Sequence, residues 1–94
     1  MRKKKHKIRI TSLKAYADVL ETLGERQTQV YRALKDLRSA NNLMIAERMC
    51  LPINSVTPRI KELRDLGVVR AHHKAYCPKT QRLTIFWKPR IWDF

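Results

Sequence analysis

A small, mainly helical domain closed by a β-hairpin is the fold class this sequence predicts, on three observations. Apolar residues recur at helical spacing from Leu13 to Leu66. Beyond Gly67 the pattern changes to stretches rich in β-branched and aromatic residues. Between them, residues 41–67 (NNLMIAERMCLPINSVTPRIKELRDLG) divide into a short helix, a break marked by proline and a longer helix.

In chain order, residues 1–10 form a basic arm. Arg2, Lys3, Lys4, Lys5, Lys7 and Arg9 repel one another and cannot be buried, so the arm is expected to be disordered when free. Thr11 or Ser12 then caps a helix whose Leu13, Tyr16, Ala17, Leu20 and Leu23 follow the i, i+3, i+4, i+7 rule, with Gly24 ending it. This helix either completes the core or offers a dimer face. Residues 25–40 form the next helix, burying Val30, Ala33, Leu34, Leu37 and Ala40 and leaving Arg26, Arg32, Lys35 and Arg38 off the stripe. Asn42 is expected to cap the third helix, on which Ile45, Ala46 and Met49 share a face. Pro52 ends it, because the residue before a proline is driven out of the α region. Asn54 or Ser55 caps the fourth helix, and Pro58 sits in its first turn, where a missing amide costs least. Val56, Ile60, Leu63 and Leu66 form its apolar stripe, and Gly67 supplies the left-handed residue that closes it. Residues 68–76 and 83–87 read as two strands joined by a turn at 77–82, with Pro89 stopping the second. Trp87, alternating with Ile85, reads as core rather than a base-stacking platform. Residues 11–88 thus form one domain, and residues 89–94 a tail carrying Ile91, Trp92 and Phe94.

Composition narrows the function. The chain has 94 residues, 44% of them hydrophobic, which suits one modest core. Its formal net charge of +13 implies a polyanionic partner, most often nucleic acid. No apolar run reaches membrane-spanning length, and no secretory h-region follows the basic start, so a cytoplasmic protein with no membrane partner is expected. Cys50 and Cys77 fit free thiols in a reducing compartment.

The face of the fourth helix away from its stripe carries Asn54, Ser55, Thr57, Arg59, Lys61, Glu62 and Arg64. In a helix-turn-helix unit the second helix enters the major groove with its amino end forward. Short polar side chains permit close approach there, and arginine can read guanine in bidentate fashion. Lys79, Thr80, Gln81 and Arg82 at the hairpin tip suit a phosphate or minor-groove contact. The arm is read either as a phosphate-binding extension or as a solubilising tail.

Chemistry beyond binding finds little support. His72, His73 and Cys77 lie close in sequence, but no C-x-x-C occurs, and neighbouring strand residues are expected on opposite faces, so no metal site is predicted. The acidic residues are scattered without nuclease spacing, and no phosphate-binding loop or nucleophile elbow occurs. Cys50 reads as a buried turn residue without a base beside it. No catalytic residue and no cofactor are expected.

Taken together, GERQTQVYRAL, LMIAERM, LPINSVTPRIKELRDLGVV and CPKTQRLTIFW resemble a small winged helix-turn-helix protein, of the compact phage-encoded kind with a MarR-like recognition unit. The likeness spans residues 13–87, and NSVTPRIKELRDLGVV is its most specific part. It implies a three-helix core with an extra N-terminal helix, a two-stranded wing, and binding of double-stranded DNA in transcriptional regulation. One departure concerns the tip, where such wings often carry glycine and this chain has Thr80-Gln81-Arg82. Gln81 tolerates positive φ poorly, so a longer or differently shaped tip is expected. A homodimer, through the first helix or the tail, is left open. So are a protein-interaction module that meets an acidic partner through the aromatic tail and the basic arm, and RNA binding.

Overall fold

The computed structural model of the chain describes residues 13–91, so the basic arm, the Thr11 or Ser12 cap and residues 92–94 lie outside the described residues. Among the described residues, four helices precede a two-stranded antiparallel hairpin. They are α1 (Leu13–Glu21), α2 (Glu25–Leu37), α3 (Asn42–Met49) and α4 (Ile53–Leu66), followed by β1 (Val69–Tyr76) and β2 (Leu83–Pro89). None of these helices is long and apolar enough to cross a membrane.

The apolar stripes meet in one core. Val30, Ala33 and Leu34 of α2, Ile45 and Ala46 of α3, and Val56, Ile60 and Leu63 of α4 are buried against Tyr16, Val68, Val69 and Trp87. Tyr31, absent from the expected α2 stripe, is buried with them. Its hydroxyl lies 2.6 Å from that of Tyr16, which in turn donates to the Val68 carbonyl at 3.1 Å. Burial first, and then the bond to Tyr16, push the Tyr31 phenol well above its usual range. This pair fastens α1 onto the core, although Leu13 at its start stays 62% exposed. Replacing Tyr16 with phenylalanine is expected to leave the Tyr31 hydroxyl without its buried partner and cost about 1–3 kcal/mol. Chemical denaturation measures this, and an unshifted midpoint would show that the hydroxyl pair contributes no stability.

Several boundaries differ from expectation, each for a local reason. Gly24 caps α2 instead of ending α1: its amide donates to Gln27 Oε1 at 2.9 Å. α2 stops at Leu37 because Arg38 takes a φ of 74°, and Ala40, expected on that helix, exchanges backbone hydrogen bonds with Trp87 (2.8 and 3.1 Å) as an isolated bridge beside β2. That pins the chain in an extended path, so Asn41 caps α3, accepting from the Met44 amide, and Asn42 becomes its first residue. Pro52, whose fixed φ suits an extended cap, precedes α4, so Asn54 and Ser55 lie inside its first turn. Pro58 is therefore one turn deeper than expected. Gly67 closes α4 at φ 87°, as predicted.

The hairpin pairs Val69 with Pro89 and Tyr76 with Leu83, with a bulge between Ala71 and His73. Pro89 is thus buried as the last residue of β2 rather than lying beyond it. Packing also runs past residue 88: the Arg90 amide donates to Val68 and the Ile91 amide to the Tyr16 hydroxyl.

Candidate nucleic-acid interface

At about 100° per residue, burial of Val56, Ile60 and Leu63 fixes which way the rest of α4 points. Asn54, Pro58, Lys61 and Asp65 face outward, opposite the core. Thr57 and Arg64 lie on the flank towards the hairpin, where the Arg64 guanidinium stands 6.0 Å from the Trp87 ring. Ser55, Arg59 and Glu62 lie on the flank towards α2.

That last flank is internally satisfied. Arg59 forks onto Glu62 through Nε and Nη2, both at 2.8 Å, and Gln27 of α2 donates to the same carboxylate at 2.8 Å. These bonds, Arg59's first, hold the Glu62 carboxyl below its usual range. The Arg59 guanidinium, one of the two arginines on the expected groove face, therefore faces Glu62. An i, i+3 pair of opposite charge was legible in the sequence and is the signal that the groove reading passed over.

The start of α4 and the hairpin tip come together. Ile53, Asn41, Asn42 and Leu43 on one side, and Cys77, Thr80, Arg82, Ile85 and Trp87 on the other, line a pocket of about 570 Å³. Asn42 Nδ2 donates to Thr57 Oγ1 at 3.2 Å, and Asn41 Nδ2 to Thr84 Oγ1 at 3.1 Å, tying α3 to α4 and to β2. Lys79 meets Glu47 of α3 at 3.2 Å, with both side chains largely in solvent, where such a pair is worth little and readily exchanges. Ile53 at the start of α4 and Thr80 and Arg82 at the tip thus border one and the same pocket.

The tip is tight rather than enlarged. Gln81 itself adopts positive φ, 62°, in place of a glycine. Its amide donates to the Cys77 carbonyl at 2.8 Å and its side chain to the Pro78 carbonyl at 3.3 Å, and these bonds offset the strain. Cys77 is buried beneath them. The Thr80 amide, then Asn41 and the Lys79 amide, bring its thiol down to about 7. Both cysteines are free thiols, but Cys50 is exposed at φ 58° at the end of α3 rather than buried in the turn.

Apolar residues interrupt the same surface. Ile53, Tyr76, Leu83 and Ile85 are all exposed, Tyr76 by 69%. On β1 the expectation for the histidines is corrected: the bulge removes strict alternation, and His72 and His73 bring their Nδ1 atoms within 2.9 Å of each other. Among the described residues no group of three or more metal-ligating side chains surrounds them. No protein-family model matches the chain, and a comparison with curated proteins finds no match.

Proposed function

We propose that the chain is a winged helix-turn-helix protein that binds double-stranded DNA, with α3 and α4 as the helix pair and the hairpin as wing. One observation carries this reading: the first turn of α4 and the basic tip line one pocket, so a groove-entering helix and a backbone-gripping wing present on the same side. The charge of +13 supplies the attraction for phosphates. Asn54, Thr57, Lys61 and Arg64 are the groove-facing side chains, while Lys79, Thr80, Gln81 and Arg82 hold the backbone. The basic arm, including Arg2, Lys3, Lys4, Lys5 and Lys7, adds phosphate contacts. Regulation of transcription, of the phage or mobile-element kind, is the role that the resemblance of these segments implies. The protein acts by binding and not as an enzyme.

Arg59 reaches a base only by exchanging Glu62 for it. Arg59→Ala is therefore expected to cost less than the about 1–3 kcal/mol of an unencumbered bidentate contact. Arg64→Ala and Lys61→Ala are expected to cost more. Selecting bound sequences from random duplex DNA, then titrating each variant on the selected and on a scrambled duplex, separates base from phosphate contacts. Single-stranded RNA bound more tightly than duplex by the full chain would overturn the reading.

A second reading has a specific observation behind it. Ile53, Tyr76, Leu83 and Ile85 are unusual on a surface meant for phosphates, and they suit an apolar segment of a protein partner. Under that reading, DNA affinity is weak and the same for every duplex.

A further inference from the structure

On the other face of the hairpin lies a second concentration of positive charge. Alternation along β2 turns Ile85 and Trp87 towards the α4 side and Phe86 and Lys88 away from it. There, a hollow of about 280 Å³ is lined by Arg38, Ser39, His72, Lys88, Pro89 and Arg90. Arg70, paired with Lys88 across the strands, stands beside it. Among the described residues, no carboxylate lines the hollow.

The backbone departs from regular geometry at both walls. Arg38 holds positive φ at the end of α2 and delivers Ser39, whose hydroxyl comes within 3.2 Å of His72 Nδ1. The bulge in β1 delivers His72 itself, and His73 behind it stacks on Phe86 with ring centroids 4.9 Å apart. Bringing the charges of Lys88 and Arg70 close to the His72 imidazole costs electrostatic energy that a bound anion would offset. Arginine forks and a lysine ammonium match the oxygens of a phosphate group.

We propose that the hollow formed by Arg38, Ser39, His72, Lys88 and Arg90 is a phosphate-binding site, separate from the α4 and tip surface. Its ligand is a phosphate group, whether free or part of a nucleic-acid strand, and it does not depend on the groove reading of α4. Among the described residues, the groups that face His72 are His73 and Arg70 from β1, Lys88 from β2, Arg90 after it, and Arg38 and Ser39 after α2. Partial desolvation, and after it the charges of His73, Lys88 and Arg70, hold the empty site's imidazole below the ordinary histidine range. A bound phosphate offsets the repulsion from those charges and draws a proton onto His72. Affinity for phosphate therefore rises as pH falls through the histidine range of the occupied site.

The test follows the imidazole resonances of the full-length chain by NMR, with His72 assigned from His72→Gln. Inorganic phosphate and a short duplex are titrated separately, each against chloride at matched ionic strength. Saturable movement of His72 with inorganic phosphate, accompanied by a rise in its pKa, assigns a free phosphate group. Movement with the duplex alone, kept in a Lys61→Ala/Arg64→Ala variant, assigns a phosphodiester and keeps this site distinct from α4. In either case Lys88→Ala with Arg90→Ala should weaken the response at least tenfold. No difference from chloride, or a response that survives loss of Lys88 and Arg90, would overturn the proposal.

Discussion

Leu63→Ala is expected to destabilise the domain by about 2–5 kcal/mol, the range for deleting a buried leucine side chain and leaving a cavity. Leu63 is completely buried, on the face of α4 that carries Val56 and Ile60. Its carbonyl also accepts from the Val68 amide at 3.2 Å, in the turn that Gly67 closes. The residue therefore sits where α4 hands the chain to β1, and a void there loosens both. Domains of this size hold only about 5–15 kcal/mol in all, so the loss is a large share of the total. Lys61→Ala, two residues away on the exposed face, serves as control and should stay within about 0.5 kcal/mol of the parent. Equal melting of the two variants would mean that the buried face of α4 is not the one described.

The stripe containing Leu63 was legible because helical periodicity is local: Val56, Ile60 and Leu63 bury together as their spacing predicts, while Leu66, expected on the same stripe, is only partly buried. The same holds for Gly67, whose left-handed cap follows from its lack of a Cβ. What the sequence hid was set by pairings distant along the chain. Ala40 looked helical by spacing, and only its bridge to Trp87 explains why α2 ends early and why Asn41 rather than Asn42 caps α3. His72 and His73 were assigned to opposite faces by strict alternation, a rule that a bulge suspends. Gln81 was judged a poor occupant of positive φ on backbone sterics alone, without the side-chain bond to Pro78 that compensates. Within the candidate interface, the composition of the α4 face was readable in full. Which of its cations are already engaged was readable only in part, from the spacing of Arg59 and Glu62.

The arm yields the second large effect, and it follows from charge alone. Six of the chain's 21 lysines and arginines lie between Arg2 and Arg9, with no acid among them. Each one that neutralises a phosphate releases condensed counterions, lowering the slope of log affinity against log salt by about 0.9 per contact on duplex DNA. If half of the six engage, deleting residues 1–9 flattens that slope by about three units. Affinity at low salt then falls by orders of magnitude, for selected and scrambled duplexes alike, because phosphate contacts carry no sequence information. Stability should not change, since residues 1–9 offer no apolar stripe to bury. The measurement is a salt titration of the full-length and shortened proteins on one duplex, with a thermal melt of each. Parallel slopes would show that the arm never reaches the DNA, leaving it the role of a solubilising tail. A flattened slope with the sequence preference intact would locate specificity in α4 and non-specific grip in the arm, because only base-edge contacts distinguish one duplex from another.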